Sequence, residues 1–313
     1  MIDPATLKQY PLASYVFEYL DARYVLFRKT AQHILAHFDD AYLAWCEVLF
    51  GMVDRRQPGH SGLEAGLKAF IRYSNEFLKL QARLNREGRY LHASFAEVNR
   101  TVYQSPLMDQ YYLDGLFLSQ VLWPNHYRMG LFFRDCAGCV NLDSEVLDVP
   151  SGTGIYSRII KTDFRFKRLL SVDISDHSRR YTEYVLSSCP SAAGFVQVER
   201  QDLFEIEGES RFDFISCGEL LEHVESPPAF LAQLDRLLKP TGTLFLTTAI
   251  YAAAIDHIWL FRNVAEVREM LRPRFHTVSE LVLPVSLNEY QPDMDREPIN
   301  YACVLRKGTH ATH

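Results

Sequence analysis

The sequence predicts an α/β protein: a doubly wound, mostly parallel sheet over residues 136–308, preceded by an all-helical N-terminal domain over residues 1–135 and followed by a disordered tail at 309–313. Three observations predict it. Helical periodicity dominates up to about residue 135, short β-rich and helical segments alternate after about residue 145, and a glycine loop follows the first of those strands.

Length and charge narrow the function before any motif does. A chain of 313 residues has ample material for a core plus an appendage, and a net charge of -6 gives no general attraction to a polyanion. Nucleic acid and anionic membrane surfaces are therefore not expected as partners. The N-terminus "MIDPATLKQYPLASY" lacks a charged-then-apolar signal layout, and no uninterrupted apolar stretch is long enough to span a bilayer. A soluble, cytoplasmic protein is expected. Its six cysteines, Cys46, Cys136, Cys139, Cys189, Cys217 and Cys303, are scattered as reduced thiols would be. "DCAGC" has metal-ligand spacing, but no second close pair completes a tetrahedral set.

In the N-terminal part, "GLEAGLKAFIRYSNEFLKL" repeats Leu63, Leu67, Phe70, Ile71, Phe77 and Leu78 at helical spacing, giving one stripe that must be buried. "RRQPGHSG" and "NREGRY" break the pattern on either side. In the later part the expected strands are "EVLDV", "RLLSVD", "GFVQVE", "FDFISC", "GTLFLTT", "HTVSELVLPV" and "NYACVLRK". Helical stretches between the earlier ones imply parallel neighbours, which no tight hairpin can join. Within "ESPPAFLAQLDRLLKPTG", Ser226 and Pro227 read as a helix start, and Lys239-Pro240 with Gly242 as its end.

The stretch "VLDVPSGTGIYSRII" passes from a strand through Gly152 and Gly154 into a helix. Glycines let a ligand approach the main chain, and the helix start offers free N–H groups to it. A dinucleotide fingerprint would carry a third glycine near Ser157, which counts against a nicotinamide or flavin cofactor. Asp173 ends the second strand about twenty-five residues after Asp148, where a carboxylate can accept from both ribose hydroxyls. Asp202, after the third strand, can accept from an adenine amino group.

These ordered motifs resemble those of the class I S-adenosylmethionine-dependent methyltransferases, over Val146 to Lys307. "LDVPSGTG" looks like the family's first motif, "SVDIS" like its ribose-binding strand end and "QDLFE" like its adenine-side motif. "ISCGELLEHVESP" is similar to the segment after the fourth strand in ubiquinone-pathway methyltransferases. The resemblance implies a seven-stranded Rossmann-like sheet whose last two strands are an antiparallel pair. It implies S-adenosylmethionine as cofactor, with Asp148 near the methionine amino group. Pro150, Ser151, Gly152, Gly154, Asp173, Ile174, Asp202, Leu203, Gly218 and Glu219 would complete the cofactor site. Pro150-Ser151 departs from the glycine or alanine, then cysteine or glycine, of many relatives.

For the chemistry, His223 and His257 stand after the fourth and fifth strands, at the carboxyl edge where such sheets bind ligands. Either can act as a base or pack structurally. Together with Tyr127 they are the expected catalytic residues, and they favour oxygen over nitrogen or sulfur as the acceptor atom. Glu219, Glu222 and His223 resemble the metal-binding segment of some relatives, with His257 as a fourth ligand; whether a metal binds is left open. "MDQYYLDGLFLSQVLWPNHYRMGLFF" sits where relatives place a lid. Its Tyr112, Trp123, His126 and Tyr127, with His257, would line the pocket of a small-molecule acceptor, or else pack as core. A private lid points to specialised metabolism, and the N-terminal helices allow a homodimer. The rivals are an NAD-dependent oxidoreductase and a cofactor-binding subunit without chemistry.

Overall fold

Alternating apolar runs and helices resolve, in the computed structural model, into seven strands in one sheet. The structure describes residues 1–57, 61–190, 194–294 and 296–308, so the tail expected to be disordered lies outside the described residues. The strands are β1 (Glu145–Asp148), β2 (Arg168–Asp173), β3 (Phe195–Arg200), β4 (Phe212–Cys217), β5 (Leu238–Ile250), β6 (Phe275–Pro284) and β7 (Ile299–Lys307). Their order is β3-β2-β1-β4-β5-β7-β6. The first five pair in parallel with one another, and β7 runs antiparallel to both β5 and β6. This is the doubly wound sheet with a closing antiparallel pair that the sequence implied.

Numbering helices of eight residues or more among the described residues, α1 is Pro11–Arg23, α2 Arg28–His37, α3 Asp40–Asp54, α4 Ser61–Glu87 and α5 Leu113–Leu122. Then follow α6 (Pro124–Arg134), α7 (Ile155–Asp163), α8 (Asp176–Ser187), α9 (Pro227–Leu237) and α10 (Val264–Leu271). The chain divides into two units: Met1–Asn75 with Asp109–Arg128, and Glu76–Met108 with the residues from Met129 onward. These divisions fall inside α4, between Met108 and Asp109, and inside α6. Hydrogen bonds explain why residues 76–108 go with the sheet: Gln81 and Tyr90 bond to the backbone of the segment after β5.

In the first unit α3, the first part of α4 and α5 pack closely. A Cβ on Gly66 would press on Val53 and Leu118, and one on Gly115 on Tyr73, so glycine sets the approach there. Leu63, Leu67 and Phe70 of the predicted stripe are fully buried, while Leu78 is 46% exposed and leaves it. The stripe overran because α4 continues beyond the first unit.

In the second unit the central strands are buried, as parallel strands covered on both faces must be. Leu147, Leu170, Ile215, Leu244, Leu246 and Leu305 belong to one apolar cluster there. The helix after β4 begins at Pro227 as expected, although the Ser226 side chain makes no capping bond. It ends at Leu237, and Lys239 to Gly242 lie in β5. Leu238 pairs with Phe212 of β4, so strand pairing takes over before the proline and glycine can act as a stop.

Candidate functional site

The sheet order reverses between β1 and β4, and the crevice beyond the strand ends at such a reversal is where doubly wound sheets hold ligands. The glycine loop lies there. Gly152 and Gly154 have φ of 53° and 74°, a left-handed backbone that only glycine takes at little cost. The Ser151 amide donates to Val172 at the end of β2, and the Gly154 amide to Ser151 within the turn. The peptide before Pro150 is cis. A Cβ on Gly152 would meet nothing within 4 Å, so the main chain there faces open space. Gly154 packs on Thr182 of α8, and the Thr182 hydroxyl donates to that of Ser151 at 3.1 Å.

Strand register sets what surrounds Asp148. It is level with Ser216 of β4 and Ser171 of β2. The hydroxyls of Ser157 and Ser216 both donate to its carboxylate, and Ser157 also bonds Ser171 at 2.7 Å. Asp148 is fully buried beneath the loop, and burial pushes its carboxyl up to about 7 against those hydroxyls. Asp173 accepts from the amides of Gly152 at 2.9 Å and Ser175 at 2.8 Å. Burial raises it to about 6 despite these bonds. Each carboxylate oxygen has two lone pairs, so Asp173 retains acceptor capacity for ribose hydroxyls. Asp202 caps a short turn by accepting from the Phe204 amide, Leu203 is buried behind it, and the Ile174 carbonyl accepts from Arg200. Loop, open Cβ position and paired carboxylates fit a sulfonium nucleoside cofactor.

After β4 the chain turns sharply. Gly218 lies against the Tyr156 ring, and Glu219 has a left-handed φ of 48° while its amide donates to Thr247. Asn300 donates to the Glu219 carboxylate at 3.2 Å. Glu222, fully buried, is held by the Thr248 hydroxyl at 2.6 Å and the Ala249 amide at 3.2 Å. Burial and the nearby Glu219 charge push it well above the usual carboxylate range.

His223 and His257 meet edge to face, with ring centroids 4.7 Å apart. The Nδ1 of His257 lies 2.8 Å from the Ala252 carbonyl, which can only accept. That nitrogen therefore carries the proton and Nε2 the lone pair. Burial lowers this histidine to about 3, so it stays neutral. Glu222, His223 and His257 can bring one ligand atom each to within 4.8 Å of one another. Imidazole nitrogens plus a carboxylate suit a divalent ion of the zinc class, or a ligand that donates hydrogen bonds. Glu219 is not in that set.

The expected aromatic lining lies in the first unit. Tyr127 is buried against Phe38 and Tyr42, with centroids 5.0 and 4.9 Å away. His126 is buried, bonds Ser119 at 3.0 Å and is lowered to about 4 by burial. Trp123 packs on Tyr73 and Phe70, and Tyr112 on Tyr73. The six cysteines are free, with Cys139 exposed.

Sequence reasoning missed four residues around the histidines. Tyr103 and Asp256 contact His223, Gln81 bonds the backbone on both sides of Ala252, and Tyr90 donates to Ala252 itself. Asp256 adjoins His257 in "AIDHIW", the one signal available; the others carry no motif.

Sheet order and loop together define a Rossmann-like nucleotide-binding domain. A family model described as a methyltransferase domain matches residues 125–279. The ubiquinone biosynthesis O-methyltransferase of Leptothrix cholodnii is 30% identical over 105 residues, covering 33% of this chain and 43% of that protein. That of Dechloromonas aromatica is 26% identical over 154 residues, covering 49% of this chain and 64% of that protein. The chain thus spans between about two fifths and two thirds of the length of these relatives. A phosphoethanolamine N-methyltransferase from Haemonchus contortus, solved with S-adenosyl-L-methionine, shares the fold with TM-score 0.50 and 15% identity over 70% of this chain and 61% of that one. The chain carries a class I S-adenosylmethionine-dependent methyltransferase domain.

Proposed function

We propose that the protein transfers a methyl group from S-adenosylmethionine to a small-molecule acceptor, with a hydroxyl as the favoured acceptor group. The observation that carries this reading is the open position at Gly152, in a loop tied to Asp173 at the switch point of the sheet. When bound, the cofactor supplies a methyl carbon on a positively charged sulfur that leaves as a neutral thioether. The chain's part is to position and to exclude water. Gly152 and Gly154 let the main chain lie against the cofactor, with Pro150 and Ser151 shaping the turn. Asp173 and Ile174 would hold the ribose side, Asp202 and Leu203 the adenine side, and Gly218 and Glu219 the edge after β4.

The lone pair of His257 and the nearby His223 can accept the proton of a hydroxyl or orient it. The ubiquinone-pathway relatives are named as O-methyltransferases, which agrees with that choice. A second reading is favoured by the close approach of Glu222, His223 and His257: these three would hold a divalent ion, which would polarise an acceptor oxygen. Tyr112, Trp123, His126 and Tyr127 pack on aromatic rings of the first unit itself, which supports the packing alternative for them. Free thiols suit a cytoplasmic location, and exposed Val25, Leu26 and Val48 suit a homodimer through the N-terminal helices.

Calorimetric titration with S-adenosylhomocysteine, with NAD in parallel, tests the cofactor. Binding of the former alone supports the reading, and binding of NAD alone sinks it. An acceptor screen with and without chelator then separates the metal-free from the metal-assisted form.

A further inference from the structure

Surroundings sort the two ring nitrogens of His223. Nδ1 lies 3.1 Å from the backbone carbonyl of Asp256, 3.5 Å from its Oδ2 and 3.1 Å from the Tyr103 hydroxyl. A carbonyl only accepts, so its contact requires the proton on Nδ1. The Tyr103 hydroxyl has two choices. Donating to Nδ1 would force the ring proton onto Nε2, whereas donating to Asp256 Oδ2, 3.3 Å away, leaves Nδ1 protonated. A carboxylate is the stronger acceptor and decides between them.

We propose that Asp256 is a positioning residue that sets the tautomer of His223. By drawing the Tyr103 hydroxyl proton to its carboxylate, it keeps Nδ1 a donor and leaves the Nε2 lone pair for the space shared with Glu222 and His257. Nε2 lies 3.8 Å from Glu222 Oε1, on the side of that cluster. The neighbouring imidazole is arranged alike, its Nδ1 spent on the Ala252 carbonyl. Two histidines from different loops thus present the same kind of atom to one place, as orienting partners do for imidazoles that must offer a lone pair.

Tyr103 is itself held in place. It ends a π-helical turn, Asn99–Tyr103, of a kind that gathers at functional sites. Its backbone carbonyl accepts from the Ser175 hydroxyl at 3.4 Å, two residues beyond Asp173. Its ring neighbours Phe95, whose amide donates to Glu225 at 2.8 Å. The segment therefore joins the ribose-side strand end to the histidine cluster within the second unit. The catalytic weight of the tautomer rests on the methyl-transfer reading; the tautomer itself does not.

The test is ring-nitrogen NMR of the full-length protein labelled with ¹⁵N-histidine, with the His223 signals assigned from a His223→Asn sample. In the wild type His223 carries its proton on Nδ1. In Asp256→Ala the Tyr103 hydroxyl turns to Nδ1, and the Nδ1–H to Nε2–H ratio falls about tenfold, the worth of one hydrogen bond. Tyr103→Phe alone keeps the wild-type tautomer. Adding it to Asp256→Ala restores that tautomer, because the misdirected donor is gone while the carbonyl still accepts. A space-filling role for Asp256 would not produce an effect that loss of a hydroxyl cancels. The proposal is overturned by a wild-type His223 protonated on Nε2, by an unchanged tautomer in Asp256→Ala, or by a shift that survives in the double variant. S-adenosylhomocysteine titration of the wild-type sample reports separately on the cofactor reading, so failure of one is distinguishable from failure of the other.

Discussion

The carboxylate of Asp173 accepts from the amide of Gly152 at 2.9 Å, so the end of β2 fixes the loop that follows β1. Its other oxygen holds the Ser175 amide at 2.8 Å and thereby the start of α8. One side chain thus organises both the loop and the ribose side of the proposed cofactor site. Asp173→Ala removes charge-assisted bonds worth about 1.5–3 kcal/mol each, and S-adenosylhomocysteine affinity is expected to fall between about tenfold and about a hundredfold. Calorimetry checks it. Unchanged affinity would mean that the strand end holds no ligand.

Two glycines of the site make opposite predictions. A Cβ on Gly152 meets nothing within 4 Å, so Gly152→Ala incurs only the left-handed backbone cost, about 1–2 kcal/mol, yet places a methyl group where the cofactor is to lie. Stability should fall by no more than that backbone cost, and S-adenosylhomocysteine binding should fall at least about tenfold, a loss of about 1.4 kcal/mol or more. A Cβ on Gly218 would collide with the ring of Tyr156, which is packed against Phe133 and Phe245. Gly218→Ala is therefore expected to destabilise by about 1–3 kcal/mol through overpacking. Denaturant unfolding beside ligand titration separates the two. Unchanged S-adenosylhomocysteine affinity in Gly152→Ala would contradict a cofactor lying against that open position.

What the sequence disclosed follows from what is local. Gly152, Gly154, Asp148 and Asp173 could be read because turn chemistry and strand ends leave their mark within a few neighbouring residues. The seven strands were readable for the same reason. The surroundings of the histidines were not, because Gln81, Tyr90 and Tyr103 precede His223 by more than a hundred residues and carry no spacing signal. Leu78 shows the converse failure: periodicity continues along α4 after the packing it reports has changed. Lys239 to Gly242 read as a helix stop, but pairing with β4 decided the local structure.

Stability should depend on pH through the two acids beneath the loop. Burial raises Asp148 to about 7 and Asp173 to about 6. A carboxyl whose folded value lies above its unfolded one binds more protons when folded, so its contribution is complete below about pH 4 and is lost as pH rises through the folded value. The ligand-free protein is expected to lose stability from these groups between about pH 4 and about pH 8. Asp148→Asn removes the larger part of that slope. Because the amide, like the protonated carboxyl, offers one acceptor oxygen and one donor to the two serine hydroxyls, the variant lies nearest the wild type in acid and gains on it as pH rises. Unfolding free energies of both proteins across that range provide the check; parallel curves would show that Asp148 is ionised throughout.

Gln81 links α4 to the segment that carries His257. Its Nε2 donates to the Tyr251 carbonyl at 2.9 Å, and its Oε1 accepts from the Ala253 amide at 2.9 Å. Between them the Ala252 carbonyl accepts from Tyr90 and lies 2.8 Å from the Nδ1 of His257. The amide side chain thus satisfies both backbone groups flanking the residue that orients the imidazole. Gln81→Leu keeps the volume and leaves a buried donor and a buried acceptor unmet, at about 1–3 kcal/mol each. The expected result is local opening: the Ala253 amide, protected in the wild type, exchanges with solvent much faster, while the Ser151 amide bonded to β2 keeps its protection. S-adenosylhomocysteine affinity should stay nearly constant, because the glycine loop does not depend on this clamp. Hydrogen exchange resolved to single residues decides it. Unchanged exchange at Ala253 would show that Tyr90 and the strand alone hold the segment, and faster exchange at both amides would show that the variant had loosened the sheet.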